Sequence, residues 1–137
     1  MKITVAVIAV SVTLLSACTP TAEYPADKPK QIKIMQGFSA NEACSEYNSM
    51  QLYYTKASLE PLLQIAIKAG AVRGKHANTI RESKIQIGMN ETEVICSWGR
   101  PDNINTSTYS FGIHKQYVYG YGNYAYFENG KLTAIQN

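Results

Sequence analysis

The spacing of apolar residues changes several times along this chain. From Ile3 to Leu15 they are nearly continuous. From Thr19 to about Ile34 they thin out among Pro20, Pro25, Pro29 and charged residues. Between Ala40 and Ile67 they recur at the helical period, which gives one buried face. From Asn105 onward they alternate with polar residues, the period of a half-buried strand. The pattern predicts an apolar leader, a polar spacer, a helical half and a sheet half.

In the helical half, Ser39-Ala40-Asn41-Glu42 has the form of a capping box. It predicts a helix to about Ala57, with Ala43, Tyr47, Met50 and Tyr54 on one side. Ser58-Leu59-Glu60-Pro61 starts a second helix or kinks the first, since Pro is acceptable in an opening turn. Leu59, Leu62, Leu63, Ala66 and Ile67 give it a broad apolar face, and Gly70 ends it. Asn78 caps a short helix to about Lys84. The stretch Gly88–Pro101 is a complete short helix with both ends written in. Asn90 caps its first turn and Glu93 reaches back to it. Met89 and Val94 are placed as a hydrophobic staple. Gly99 suits the left-handed residue that ends a helix, and Pro101 prevents continuation. Val94, Ile95 and Trp98 share one side and need a surface to dock on; Cys96 lies off that side.

In the sheet half, Asn129-Gly130 is the strongest hairpin signal. It pairs Glu128 with Lys131, Phe127 with Leu132 and Ala125 with Ala134. Gly122-Asn123 reads as a second two-residue turn, pairing Tyr121 with Tyr124, Tyr119 with Tyr126 and Val118 with Phe127. That register puts Val118, Gly120, Ala125, Phe127, Leu132 and Ala134 on one face. Tyr117, Tyr119, Tyr121, Tyr124 and Tyr126 fall on the other, with Thr133 and Ile135. The small apolar face is expected under the helices, with the tyrosines outward as a protein- or glycan-contact surface. The tyrosines equally suit strands by supporting each other across the sheet, and the opposite assignment, tyrosines inward, stays open.

Length and composition then narrow the class. A chain of 137 residues with a leader leaves room for one domain. The net charge of +3 is too mild to point to nucleic acid. Ten Tyr against three Phe and one Trp suits half-wet sheets and contact surfaces. Gly74-Lys75-His76-Ala77 with Arg73 is a small basic turn, either a solvated loop or a site for lipid phosphate or an anionic glycan. No Ser-His-Asp set, paired carboxylate or metal-ligand spacing is present, so neither an enzyme, a cofactor, a metal nor a small-molecule substrate is expected.

Lys2, the short apolar run and then Leu15-Ser16-Ala17-Cys18 resemble the bacterial lipoprotein signal. That resemblance implies cleavage before Cys18 and acyl chains, palmitate among them, on its thiol and amine. Several chains anchor stably where one binds marginally. Thr19 after the Cys is similar to lipoproteins sent to the outer membrane. The spacer would let a folded domain stand off the membrane. With Cys18 lipidated, Cys44 and Cys96 remain, an even pair in an oxidising compartment. They form a disulfide tying the first helix to the Gly88–Pro101 helix, or they are two buried thiols; the disulfide is the reading adopted.

Ile85-x-Ile87-Gly88-Met89-Asn90-x-x-Glu93-Val94, Trp98-Gly99-x-Pro101, Gln116-Tyr117-Val118-Tyr119 and Tyr126-Phe127-x-Asn129-Gly130-Lys131-Leu132-Thr133-x-Ile135 follow one another in order. Together they resemble the SmpA/OmlA family of BamE-like small outer-membrane lipoproteins, over roughly residues 78–137. The resemblance implies an α+β fold in which two short helices pack on a three-stranded antiparallel sheet. The layout is also similar to a repeat of the secreted β-lactamase inhibitor proteins. It implies a periplasm-facing lipoprotein that supports envelope integrity, with outer-membrane assembly factors among its partners. The helical segment Phe38–Gly70 is longer than the family pattern, so fold and location carry over and membership of a particular machine does not.

The expected organisation is a signal peptide over 1–17, a lipidated Cys and tether over 18–37, and one α+β domain over 38–137. That domain divides into a helical extension, 38–73, and a BamE-like unit, 78–137. The expected role is non-catalytic, through protein contacts in the envelope; the alternative is an inhibitor-like module acting on an envelope enzyme. The disulfide has a direct test: thiol titration of the unreduced, unfolded protein is expected to find no free Cys, and two free thiols per chain would rule the bridge out.

Overall fold

The structure is a computed structural model that describes residues 37–137. Cys18, the signal peptide and the tether up to residue 36 lie outside the described residues. The domain is α+β. Four α-helices, α1 (Ala40–Ser49), α2 (Lys56–Lys68), α3 (Ala77–Arg81) and α4 (Glu91–Trp98), precede four strands. These are β1 (Asn103–Tyr109), β2 (Gly112–Tyr119), β3 (Asn123–Glu128) and β4 (Lys131–Gln136), an antiparallel sheet in chain order. The sheet has one strand more than expected. β1 is exposed along its whole length, so it shows no alternation of burial.

The helices begin where side chains satisfy their first amide groups. At α1 Ser39 accepts from the Glu42 amide and Glu42 returns a bond to Ser39 N (2.8 Å). α1 stops at Ser49, passes through a tight turn over Met50–Leu52, and gives way to α2, capped by Thr55 rather than Ser58. Pro61 therefore stands inside α2, past its opening turn. α3 is shorter than expected and closes at Arg81. Its Arg81 makes a two-pronged pair with Glu60 of α2 (2.9 and 2.5 Å).

α4 matches the expected caps. Glu93 N donates to Asn90 Oδ1 and Asn90 N to Glu93 Oε2, both at 2.8 Å. Met89 and Val94 are both fully buried. Gly99 ends the helix with a positive φ of 87°, and a Cβ there would lie 2.5 Å from Asn48 Oδ1. Asn48 comes that close because its amide donates to the Ser97 carbonyl (2.9 Å), satisfying a group that the end of α4 leaves free. Cys44 and Cys96 are joined, linking α1 to α4 across 52 residues. Closing a loop of that length in the unfolded chain is worth about 4 kcal/mol.

The two later hairpins differ in how well the turn residues announced them. Asn129 (φ 49°) and Gly130 (φ 78°) form the two-residue turn, and Glu128 faces Lys131 and Phe127 faces Leu132. Beyond that pair a bulge shifts the register, so Ala125 faces Ile135, not Ala134. One extra residue on a strand does this. At the other turn the loop is Gly120–Gly122, with Tyr121 (φ 62°) and Gly122 (φ 82°) in the left-handed region. Asn123 is the first residue of β3 and faces Tyr119; its side-chain amide closes the turn on the Gly120 carbonyl (2.9 Å). Tyr117 therefore faces Ala125, and Lys115 faces Phe127.

This moves the register of β2 by three residues from the expected one. An odd shift exchanges the faces of a strand. Tyr117 is buried and Tyr119 is packed on the core, while Val118 points away with Tyr124 and Tyr126. Ala134 turns outward and Ile135 inward. The five tyrosines do not share a face. The core lies between the helices and the face carrying Tyr117, Ala125, Phe127 and Leu132.

One charged group sits inside this core. Glu93 is fully buried, with its carboxylate held by Arg73 N (2.8 Å), Nε (3.0 Å) and Nη2 (2.5 Å) and by the Asn90 amide. His76 Nδ1 lies 2.9 Å away but makes no aligned hydrogen bond. Arg73 Nη2 also donates to the Gly88 carbonyl (2.6 Å). The basic turn is thus divided: Gly74 and Lys75 are exposed, while Arg73 and His76 face an internal carboxylate. Burial pushes the Glu93 carboxyl up, but the Arg73, Asn90 and His76 contacts outweigh it and hold it down to about 2 from 4.5. A carboxyl lowered on folding stabilises the protein above its unfolded value and loses that contribution as pH falls. Between 4.5 and about 2 the loss is expected to reach about 3 kcal/mol. Glu93→Gln is expected to cost about 3 kcal/mol at neutral pH by leaving Arg73 without its carboxylate, and to flatten the acid limb. Urea unfolding at a series of pH values checks both, and an unchanged acid limb would show that another group governs it.

Candidate functional site

The side of the sheet away from the helices carries an unusual polar arrangement. Asn105 Nδ2 donates to Gln116 Oε1 (2.9 Å), Gln116 Nε2 to the Tyr126 hydroxyl (3.1 Å), and the Tyr126 hydroxyl to Gln136 Oε1 (3.0 Å). One residue from each strand takes part: the register sets Asn105, Gln116 and Tyr126 side by side, and the Tyr126 hydroxyl reaches diagonally to Gln136, which faces Tyr124. The ladder leaves the Tyr126 ring half-buried beside Tyr124, their centroids 6.3 Å apart. A shallow groove of about 430 Å³ runs over this face, lined by Asn105, Ser107, His114, Gln116, Tyr126 and Thr133 among others.

At one end the face rises into an aromatic tip. Tyr109 and Phe111 stack with centroids 5.1 Å apart, and the His114 ring meets both edge-on (5.2 and 5.7 Å). Phe111 is 73% exposed and Tyr109 50%. The tip is held from below by the neighbouring turn: Asn129 Oδ1 accepts from Ile113 N (3.0 Å), and Asn129 N donates to the Ile113 carbonyl (2.8 Å). Aromatic side chains carried on a fixed turn offer contact area at little ordering cost.

The sequence-predicted tyrosines divide into two groups. Tyr124 and Tyr126 stand on the open face and Tyr121 is fully exposed at its turn. Tyr117 and Tyr119 belong to the core side. The Tyr117 hydroxyl donates to Glu91 Oε2 (2.5 Å), and Lys115 Nζ donates to the same carboxylate (2.9 Å). Tyr119 donates to the Gly99 carbonyl (3.2 Å) and meets Trp98 edge-on at 5.4 Å. Burial raises the pKa of both phenols, with the Glu91 carboxylate adding to the effect at Tyr117. Both stay neutral donors at physiological pH. Cys44 and Cys96 are buried, in the disulfide.

Sequence reasoning passed over the Tyr109–Phe111 tip and the amide ladder. The ladder had a signal in the Asn103-x-Asn105 and Tyr124-x-Tyr126 spacings of the strands, but it needs the register to be read. Among the described residues no group of three or more His, Cys, Asp or Glu is placed to hold a metal ion, and no helix is long and apolar enough to cross a membrane. No family model matches the chain, and no curated protein or solved structure matches it either.

The division of the tyrosines is directly measurable. Tyr117→Ser and Tyr119→Ser are each expected to cost about 3 kcal/mol, as for large-to-small changes in a core. Tyr124→Ser and Phe111→Ser are expected to change stability by about 0.5 kcal/mol or less. Equal effects across the four variants in denaturant unfolding would contradict the observed faces.

Proposed function

We propose that this chain is a non-catalytic lipoprotein, anchored in a bacterial outer membrane through Cys18 and facing the periplasm. It works through protein–protein contacts in envelope assembly or maintenance. Leu15-Ser16-Ala17-Cys18 and the likeness to the SmpA/OmlA family support the location. The observation that carries the contact role is the open sheet face, with its fixed aromatic tip of Tyr109, Phe111 and His114. Exposed aromatic groups beside hydrogen-bonding side chains are the composition of a contact surface. The surface differs from the one expected from sequence: it keeps Tyr124 and Tyr126, gains Tyr109 and Phe111, and gives up Tyr117 and Tyr119 to the core. An inhibitor-like module acting on an envelope enzyme is the second reading, favoured by the exposed, stacked rings of Tyr109 and Phe111 at the β1–β2 turn, which would supply apolar area to an enzyme cleft.

The test is site-specific crosslinking of the lipidated protein in intact envelopes. Wild type is expected to give discrete protein adducts from positions beside Phe111 and Tyr124. The doubly changed chain Tyr109→Ser, Phe111→Ser is expected to lose them at unchanged protein level. Cys18→Ser is expected to release the protein from membranes. Adducts and envelope phenotypes that persist in the double variant would rule out this surface; purification with a bound hydrolase would favour the second reading.

A further inference from the structure

The two edges of the sheet are treated differently. Beside β4 the chain's own Gly88–Asn90 segment covers the start of the edge: Leu132 N donates to the Met89 carbonyl (2.7 Å) and Gly88 N to the Leu132 carbonyl (2.8 Å). Among the described residues β1, at the other edge, has a strand neighbour on one side only, β2. Its seven residues, Asn103-Ile104-Asn105-Thr106-Ser107-Thr108-Tyr109, contain no charge, no Pro and no Gly, and all are exposed. Natural edge strands are usually blunted by charge, Pro, a bulge or a cover, because a bare edge is a template for another strand. β1 pairs with β2 in unbroken register from Asn103 to Tyr109, so no bulge turns it away.

We propose that β1 is the interface for a second copy of this chain, two β1 strands pairing antiparallel about Thr106 to make one eight-stranded sheet. Three observations select a second copy as the occupant. First, an uncharged strand can face itself without like-charge repulsion. Pairing centred on Thr106 sets Ile104 against Thr108, Asn105 against Ser107 and Asn103 against Tyr109. These are apolar, β-branched or hydrogen-bonding pairs, the kinds that stabilise cross-strand contacts. Second, the start of the β4 edge is taken by the chain's own Gly88–Asn90 segment, which leaves only Thr133–Gln136 for head-to-tail growth, whereas β1 offers all seven of its residues. The arrangement that uses β1 alone is the two-fold dimer. Third, side-chain direction alternates along a strand, so full overlap of the seven residues keeps both helix layers on one side and joins the two open faces on the other. The Asn105 end of each amide ladder then meets Ser107 of the second copy, and the ladders run into one another. This deepens the contact reading, since it doubles the surface assigned there, but it rests on the edge geometry alone.

The test is the mass of the full chain in detergent by analytical ultracentrifugation over a concentration series. Wild type is expected to shift from one chain to two as concentration rises. Thr106→Lys sets two ammonium groups against each other at the two-fold axis and is expected to remain a single chain, with circular dichroism and thermal midpoint unchanged. Thr106→Glu is expected to behave likewise, and mixing the Lys and Glu chains is expected to restore the pair. A wild type that stays a single chain at every concentration overturns the proposal, whatever else binds the edge. A dimer insensitive to Thr106→Lys overturns it too. The envelope crosslinks from the Phe111 and Tyr124 positions are scored separately, so failure of the dimer and failure of the contact role are distinguishable.

Discussion

The buried carboxylate of Glu93 is the constraint on which the rest of the domain depends. An ionised group away from water is tolerated only when its oxygens are filled by well-placed donors. Here the donors come from the connection after α2, through Arg73, and from the residue that caps α4, through Asn90. Arg73 also holds the Gly88 carbonyl, and the Asn90 side chain holds the Ala71 carbonyl (2.9 Å). One side chain thereby fixes the entry to α4, the exit from α2 and the Gly88–Asn90 segment. That segment pairs with the start of β4, so a local capping interaction reaches the sheet.

Local signals were legible where one residue's chemistry decides a local outcome. The caps at Ser39 and Asn90, the stop at Gly99 and the turn at Asn129-Gly130 all stand where their residues place them. The α+β class and the union of Cys44 with Cys96 also agree with the sequence reading. What failed was an inference with two local solutions. Gly120-Tyr121-Gly122-Asn123 can turn on Gly-Asn with two residues or on Gly-Tyr-Gly with three. The choice is made by the Asn123 side chain bonding back to Gly120, which composition does not reveal. A wrong choice there is not a small error, because the odd shift reverses the faces of β2. The fourth strand was hidden for a related reason: a strand exposed on both sides has no burial to impose alternation.

Charge told little about the interior because its partner lay far off in sequence. Arg73 and His76 looked like a basic turn, and Glu93 looked like half of a capping box. Both descriptions are locally sound. They converge only because α4 packs back against the connection twenty residues earlier, and the carboxylate that caps one helix also neutralises the turn. The candidate surface was obscured in a similar way, since amides that look like loop residues become a ladder only once four strands are in register.

The side of the molecule available for contact follows from where the polar stitching is spent. Around α4 the helical side is committed inward. Besides the disulfide, Asn48 holds Ser97, Thr92 holds Asn41 (2.9 Å) and Arg100 Nε holds Ser45 (2.8 Å), so α1 is fastened to α4 at several points. Tyr117, Tyr119 and Lys115 meet groups of the α4 region from the sheet below. Among the described residues the open face makes no such commitment to another layer; its side chains bond mainly to one another, strand to strand. A face ordered by its own lateral bonds keeps its shape without a cover, and a partner that docks there finds the rings and amides already placed. The side chains that a contact would otherwise have to immobilise are held beforehand, which lowers the ordering cost of association. That is why the reversal of β2 matters for function as well as fold. It removes two tyrosines from the surface and exchanges a loose aromatic stripe for a polar face braced from β1 to β4.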